Sequence, residues 1–259
     1  MVQPRPSASV ILVRDGAAGL ESFMVRRHAR SAVAPSAYVF PGGTVRDDDV
    51  ALVVQDPSRL ADALSVRSDT PVTPPEAAAF YVCALRELFE EAGVLLVRDA
   101  SGSPLRVKES DTTFRERLES TRLALQAREL AIGQVLSDNN WQPALDLLVP
   151  FSHWITPRAL AARFDTRFFV AELPPGQSAL HDTIETSEGL WLSPDQALAP
   201  DYHTVYATAQ HLHRLEPFAA VAELLAFART KPIRIVSPEV VEAAEGMRAF
   251  IRPEIADSW

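Results

Sequence analysis

Cysteine and long apolar runs are scarce in this sequence of 259 residues. The single cysteine, Cys83, excludes an intramolecular disulfide and a zinc site built from several cysteines. No apolar run approaches the roughly 18 residues that a membrane-spanning helix needs. Residues 1–9 contain no apolar stretch typical of a secretory signal, and residues 257–259 match no peroxisomal or endoplasmic-reticulum address. The sequence therefore predicts a cytoplasmic globular protein with no membrane partner.

Basic residues are also fewer than acidic residues. The chain has 34 acidic residues against 25 basic ones, which gives a formal net charge of −9 and a pI near 5.2. This balance argues against broad electrostatic binding to nucleic acid, although a local basic pocket is compatible with it. Hydrophobic residues make up 47% of the chain, so we expect a single folded domain over residues 1–259. Whether that domain is a monomer or a homodimer is left open.

Short apolar segments alternate with helical patterns along the chain. The segment over residues 76–92 is predicted to be a helix, because two prolines precede it, neither glycine nor proline interrupts it, and Gly93 ends it. The other predicted elements are strands at 10–13, 22–25, 37–43, 94–97 and 168–173, and a helix at 204–228 broken at Pro217. Their spacing lacks the regular alternation of a Rossmann fold, which favours an α/β fold with a mixed sheet. We expect helical additions at about 100–150 and about 200–259.

Three carboxylates stand close together in the predicted helix. Glu87, Glu90 and Glu91 occupy positions i, i+3 and i+4, which places them on one helical face. Such charges repel each other, and Arg86 can relieve only part of the repulsion. A divalent cation would compensate the rest, and ligands that offer only oxygen favour Mg²⁺ or Mn²⁺ over zinc. The alternative is a solvated acidic face that binds nothing.

The segment around these glutamates resembles the second half of the Nudix box, whose family pattern is GX5EX7REUXEEXGU, with U an aliphatic residue. Seven positions match the pattern: Arg86, Glu87, Leu88, Glu90, Glu91, Gly93 and Val94. The resemblance implies the Nudix fold, a mixed β-sheet sandwiched between helices, and hydrolysis of a nucleoside diphosphate linked to another group. It also implies that Glu90 and Glu91 are catalytic metal ligands, and that Glu87 is a third ligand, directly or through water.

The first half of the box departs from the family pattern. Gly42 and Gly43 match its glycine loop, but 43 positions separate Gly43 from Arg86 where the uninterrupted pattern has 14. The difference implies an insertion of 29 residues, within 46–75, which we expect beside the diphosphate site because both its ends are tethered. The pattern's first glutamate is absent from the helix. Four acidic residues could replace it in holding the box arginine: Asp47, Asp48, Asp49 or Glu76.

Other segments are similar to the Nudix branch that contains the peroxisomal coenzyme A diphosphatase and its bacterial relatives. They cover, in chain order, residues 39–43, 154–157, 164–169 and 185–194. This resemblance implies cleavage of coenzyme A or acyl-coenzyme A to 3′,5′-ADP and a 4′-phosphopantetheine product. Two alternatives stay open: a Nudix hydrolase of ADP-ribose, a dinucleotide or a nucleoside triphosphate, and a Nudix-fold binding module without catalysis.

A general base is often supplied in this family by a later glutamate. Glu185 and Glu188 precede Trp191 at the corresponding place, and either could reach the site from a loop. Glu185 is the preferred candidate because its position matches the family segment more closely. Solvation at the surface is the alternative for both carboxylates.

Phosphate recognition needs cations in this acidic chain. Arginine is suited to it, because its planar guanidinium can contact a phosphate through two hydrogen bonds. Arg26 and Arg27 follow a predicted strand shortly before the glycine loop, and Arg167 begins another strand. These three are the candidate substrate-binding residues, with surface solvation as the alternative for each.

Overall fold

The computed structural model describes residues 2–108, 110–181, 184, 186–243, 246–256 and 258–259. Its strands are β1 (Arg5–Gly16), β2 (Gly19–Arg27), β3 (Tyr38–Val39), β4 (Gly42–Thr44), β5 (Val97–Arg98), β6 (Gln142–Pro143), β7 (Val149–Ile155), β8 (Phe164–Glu172), β9 (Thr186–Leu192), β10 (Ile235–Val236), β11 (Glu239–Ala243) and β12 (Gly246–Phe250). Its helices are α1 (Asp47–Ala51), α2 (Pro57–Ser65), α3 (Pro74–Ala92), α4 (Thr112–Gln126), α5 (Ile132–Asp138), α6 (Pro194–Ala197), α7 (Tyr206–Leu215), α8 (Val221–Thr230) and α9 (Pro253–Ala256). None of the described helices is long and apolar enough to cross a membrane.

Strand β1 is the centre of the main sheet, whose order is β10-β7-β8-β1-β2-β3. It pairs in parallel with β8 and antiparallel with β2, so the sheet is mixed, as predicted. β4 is paired with the first half of β1, and β9 with β2. Ser9 lies opposite Gly42 and Ala8 opposite Gly43, so this register brings the glycine loop to the middle of the sheet.

Alternate side chains of β1 build two hydrophobic cores, one on each face of the sheet. Val10 and Leu12 pack in the core that contains α3 and α2. Ile11 and Val13 pack in the core that contains α7 and α8. The sheet is therefore sandwiched between helices, which confirms the predicted fold class.

Two sequence expectations differ from the structure. Of the predicted strand at 94–97, only Val97 lies in a strand, because the backbone of Leu95 hydrogen-bonds to the side-chain amide of Gln177 instead of to a neighbouring strand. In the region predicted to be helical at about 200–259, the longer helices end at Thr230. Beyond it the described residues form β10, the β11–β12 hairpin and the short α9, since Ile235 and Val236 pair with β7.

Candidate active site

Helix α3 carries the three glutamates, and local sequence sets both of its ends. Thr73 and Glu76 form a capping box at the start: the Thr73 backbone N–H and hydroxyl both donate to the Glu76 carboxylate, at 2.8 and 2.7 Å. Gly93 ends the helix with φ 66°, a left-handed conformation that favours glycine. Between these ends the helix packs under the sheet and is covered almost completely.

The glutamates of α3 are buried and do not form a solvated acidic face. Glu87, Glu90 and Glu91 expose only 5%, 3% and 3% of their surface. Burying a carboxylate is costly unless hydrogen bonds or cations compensate it. The alternative of a helix face exposed to water is therefore wrong, and each carboxylate needs partners.

Arg86 provides part of that compensation and is held by Asp49. The guanidinium donates from Nε and Nη2 to the two carboxylate oxygens of Asp49, both at 2.8 Å, and both side chains are fully buried. Asp49 thus takes the position of the pattern's missing glutamate. Asp47 is exposed, and Glu76 is engaged at the start of α3. Burial alone would lower the pKa of Arg86, but the hydrogen bond that it donates to Asp49 and the charge of Glu87 raise this pKa.

The two glycines allow β4 to lie against both the sheet and the glutamates. A Cβ at Gly42 would come within 2.6 Å of the carbonyl oxygen of Ala8 on β1, and one at Gly43 would overlap the carboxylate of Glu87. The Gly42 N–H donates to Glu91 at 2.9 Å. At Gly42 glycine is therefore required by the close approach of the β1 backbone, whereas a Cβ at Gly43 would require the carboxylate of Glu87 to move.

Arg46 forms an ion pair with Glu90 that sequence reasoning missed. Its Nη1 and Nη2 donate to the two carboxylate oxygens of Glu90 at 2.6 and 2.8 Å. Arg86 also contacts Glu90, at 3.1 Å. Burial raises the pKa of Glu90 to about 7, although these two arginines lower it. The sequence offered one indication of this contact: Arg46 lies only three residues after Gly43 and so must be close to the glycine loop.

Helix α4 holds the end of the glutamate helix from the other side, which was also not predicted. Arg122 Nε and Gln126 Nε2 donate to the backbone carbonyl of Glu90 at 2.8 and 2.7 Å. Carbonyls in the last turn of a helix lack internal partners, and a cation near them is favoured by the helix dipole. The predicted insertion at about 100–150 therefore supplies contacts to the box helix.

The donors around Gly43 suit a hard divalent cation. Four carboxylates cluster there with two arginines, which leaves two negative charges in excess: Asp49, Glu87, Glu90 and Glu91, with Arg46 and Arg86. Carboxylate oxygens are the ligands that Mg²⁺ and Mn²⁺ prefer. Over the described part of the chain no three His, Cys, Asp or Glu side chains are arranged to hold a metal ion. Two guanidinium groups instead contact the oxygens of Glu90.

A cavity of about 720 Å³ opens next to this cluster. Gly42, Gly43, Arg46 and Glu87 line one part of it. Three more arginines line it: Arg5, Arg27 and Arg128. Much of the remaining wall is apolar and comes from β7, β8, their connection, α7 and the β11–β12 hairpin: Trp154, Leu160, Phe164, Phe168, Tyr206 and Val240. Charge and apolar surface thus meet in one cavity.

Of the three predicted phosphate-binding arginines, Arg27 lines this cavity. Arg26 lies near the surface, 3.9 Å from Glu188. Arg167 points to the opposite face of β8 from Phe168, because neighbouring strand residues alternate. Its guanidinium lies 5.5 Å from the ring centre of Phe80 on α3.

The two candidate bases have different positions. Glu188 lies on β9 and accepts a hydrogen bond of 2.5 Å from the hydroxyl of Tyr38. Burial and this contact raise the pKa of Tyr38 to about 12. Glu185 lies outside the described residues, so its role stays a prediction.

The sequence matches the family model of the NUDT19 Nudix domain over residues 52–205, more than half of the chain. The chain belongs to this Nudix family. The match covers the glutamate helix and most of the cavity wall contributed by β7 and β8. Membership agrees with a box arginine held by an acidic residue and with buried glutamates beside a glycine loop.

Two similar proteins are named as acyl-coenzyme A diphosphatases. Acyl-coenzyme A diphosphatase NUDT19 of Xenopus laevis is 28% identical over 80% of this chain and 62% of its own length. The human protein of that name is 26% identical over 89% of this chain and 70% of its own. The chain thus spans about 62% of the length of the Xenopus relative.

A solved Nudix hydrolase structure shows the same fold. The enzyme from Alicyclobacillus acidocaldarius superposes with a TM-score of 0.69 and 24% identity. The superposition covers 87% of this chain and 97% of the other. This likeness establishes the Nudix fold, including the mixed sheet between helices.

Proposed function

We propose that this protein is a metal-dependent diphosphatase that cleaves coenzyme A or acyl-coenzyme A to 3′,5′-ADP and the (acyl-)4′-phosphopantetheine. The observation that carries the proposal is the joining of the buried glutamate cluster to the cavity of about 720 Å³. A diphosphate carries charge that arginines and a metal can bind, whereas a pantetheine or acyl chain needs apolar surface. The cavity offers both kinds of surface.

The names of the relatives support this substrate class. Both the Xenopus and the human relatives are called acyl-coenzyme A diphosphatases. Their identity to this chain is 28% and 26%, and the matched part includes the box glutamates' helix. We extend the activity to this chain because Glu87, Glu90 and Glu91 are all present.

The carboxylates of Glu90 and Glu91 would hold Mg²⁺ or Mn²⁺, with Glu87 as a third ligand. A divalent cation bound there neutralises phosphoryl charge and lowers the pKa of an attacking water. Arg27 contributes a guanidinium on the cavity wall that suits phosphate contact. The Gly42–Gly43 backbone keeps this approach to the glutamates free of Cβ atoms.

Proton removal from the water is assigned to a glutamate beyond the box. We retain Glu185 as the preferred base and Glu188 as its alternative. Glu188 already has a partner in Tyr38, and that contact would have to be exchanged for a catalytic one. A carboxylate with a pKa below the working pH can accept the proton.

A substrate panel tests the function. Purified protein with Mg²⁺ or Mn²⁺ is assayed against coenzyme A, acyl-coenzyme A, ADP-ribose, NADH and a nucleoside triphosphate, with products identified by mass. We expect preferential release of 3′,5′-ADP from the coenzyme A substrates. Preference for ADP-ribose or a dinucleotide would support the alternative hydrolase, and no turnover with any substrate would support the binding module.

A pair of matched variants connects turnover to the cluster. Glu91→Gln keeps the size of the side chain but removes a charge, and we expect turnover to fall on the order of 10² or more. Glu116→Gln makes the same change on the exposed surface of α4 and should leave turnover unchanged. Equal activity in both variants would contradict the role of the cluster. The predicted cytoplasmic location belongs to the same proposal and is checked by fluorescence microscopy of the tagged protein.

A further inference from the structure

Two arginines contact the carboxylates, but their environments differ. Arg86 exposes 0% of its side chain and is fixed by the equally buried Asp49. Arg46 exposes 16% of its side chain and lines the cavity, while its partner Glu90 exposes 4%. Arg46 can therefore leave its carboxylate for the cavity without crossing the protein interior, whereas Arg86 cannot.

Arg46 contacts the same carboxylate oxygens of Glu90 that a divalent cation would bind. Its two nitrogens engage both carboxylate oxygens, at 2.6 and 2.8 Å, in the bidentate geometry that makes arginine–carboxylate pairs strong. Arg86 donates to one of the same oxygens at 3.1 Å. Glu90 thus has both oxygens occupied by guanidinium groups.

We propose that Arg46 competes with the divalent cation for Glu90 and, once displaced, binds the substrate diphosphate from the cavity wall. The identity of the substrate diphosphate rests on the proposed function. The competition between Arg46 and the cation is argued from the contacts of Glu90. The ion pair compensates the buried charge of Glu90 while no cation does so. Arg46 is a positioning residue for Glu90 and a substrate-binding residue when the pair opens.

The proposed competition predicts the direction in which loss of Arg46 changes metal affinity, stability and substrate binding. Loss of Arg46 removes a positive charge and a competing ligand from Glu90, so a divalent cation should bind more tightly. The same loss leaves the buried carboxylate of Glu90 without its bidentate partner, which should destabilise the protein when no cation is present. Substrate binding should weaken, because a guanidinium on the cavity wall is gone. The expected gain in metal affinity is opposite in sign to the losses of stability and of substrate affinity, and each of the three is measured separately.

Binding of Mn²⁺ to the full chain, followed by electron paramagnetic resonance of the free ion, tests the competition without substrate. We expect Arg46→Gln to lower the Kd for Mn²⁺ by about ten-fold, the effect of removing a strong charge-assisted pair. Arg98→Gln is the matched control, because Arg98 forms an equally bidentate pair with Asp146, at 2.7 and 2.8 Å, on residues outside the cavity wall. It changes the net charge by the same amount and should leave the Kd unchanged.

The double variant shows whether the effect passes through Glu90. In a Glu90→Gln background, Arg46→Gln should no longer tighten Mn²⁺ binding, because the competing carboxylate is gone. An unchanged or weaker affinity in Arg46→Gln alone would overturn the inference. The inference would also be overturned if Arg46→Gln tightened Mn²⁺ binding equally with Glu90 present and in the Glu90→Gln background. Thermal unfolding without metal confirms that each variant is folded, and Arg46→Gln should then show a larger stabilisation by Mn²⁺ than the parent.

Kinetics with coenzyme A at saturating Mg²⁺ test the second half of the inference. We expect Arg46→Gln to raise KM about ten-fold or more with a smaller change in kcat, and Arg46→Lys to recover part of the loss. An unchanged KM would overturn the assignment of substrate binding. If coenzyme A is not a substrate at all, the proposed function fails, while the Mn²⁺ measurement still decides the competition.

Discussion

Asp49 and Arg86 lie 37 positions apart in the chain and form a bidentate ion pair in which both side chains are fully buried. Asp49 also accepts a hydrogen bond from the backbone N–H of Arg46, at 2.9 Å. Arg86 in turn donates to the carbonyl of Thr44 on β4, at 3.0 Å. The pair therefore joins α1, α3 and the glycine-containing strand around the carboxylate cluster.

Removal of Asp49 should strongly destabilise the protein. Asp49→Ala leaves the charge of Arg86 buried without its main partner, which costs about 3–5 kcal/mol in comparable cases. Asp47→Ala changes a neighbouring exposed aspartate and should cost no more than about 0.5 kcal/mol. Urea unfolding at pH 7.5 measures both free energies. Similar losses for the two variants would show that Asp49 does not anchor Arg86.

Substitution of the two glycines should affect different properties, namely stability at Gly42 and activity at Gly43. A methyl group at Gly42 meets the backbone of β1, so Gly42→Ala should lower the free energy of unfolding by about 1–3 kcal/mol. A methyl group at Gly43 meets only the end of the Glu87 side chain, which can move aside. Gly43→Ala should therefore keep most of its stability but lose turnover and metal affinity. Thermal unfolding and kinetics check this contrast, and full turnover in Gly43→Ala would contradict the placement of Glu87.

The contact from α4 should tune the metal site. Arg122→Met removes a buried hydrogen bond to the carbonyl of Glu90 while keeping an extended side chain, and we expect a loss of about 1–3 kcal/mol in stability. The Mg²⁺ concentration for half-maximal activity should rise, because the last turn of α3 is less firmly held. Arg115→Met on the exposed side of α4 is the control. The prediction is contradicted if the two variants require the same Mg²⁺ concentration.

The choice between the two candidate bases has a kinetic signature. Glu185→Gln should lower kcat with little change in KM and should remove the acidic limb of the pH–rate profile. Glu188→Gln should have a smaller effect on kcat. Tyr38→Phe serves as the control for structural effects at Glu188, because it removes the hydroxyl that contacts this carboxylate. If Glu185→Gln retains both kcat and the acidic limb, the assignment moves to Glu188 or to a box glutamate.

His211 should make the protein sensitive to acid. Burial lowers the pKa of this fully buried histidine to about 3, and Nδ1 donates to the carbonyl of Ala207, which leaves Nε2 to accept from the hydroxyl of Ser152. An unfolded histidine has a pKa of about 6.5, so between these values the unfolded state binds more protons. Stability contributed by the neutral histidine is complete above pH 6.5 and is lost as the pH falls, by about 2 kcal/mol at pH 5.

Unfolding by urea at pH 7.5 and pH 5 tests this sensitivity. His211→Gln should reduce the difference in stability between the two pH values by about 2 kcal/mol, whatever its effect at pH 7.5. His213→Gln makes the same change at an exposed histidine on the same helix and is the matched control. A difference that is the same in the parent and in His211→Gln would refute the burial argument.

Local patterns allowed most of α3 to be predicted. The prolines before it, the uninterrupted helical segment and Gly93 determine where the helix lies, because capping and helix propensity act over a few residues. Helical periodicity also places Glu87, Glu90 and Glu91 together. The break at Pro217 likewise appears between α7 and α8.

The partners of those glutamates depended on the path of the chain. Periodicity places the glutamates on one face, but the contacts around them come from distant segments. Arg46 from the insertion pairs with Glu90, Asp49 from the insertion holds Arg86, and Arg122 from α4 contacts the backbone carbonyl of Glu90. Strand register decided that Arg167 points away from the cavity, because a single-residue offset reverses the face of a side chain. The sequence by itself thus determined the glutamate helix and the family pattern, whereas long-range packing decided which charges surround it, since such contacts join residues tens of positions apart.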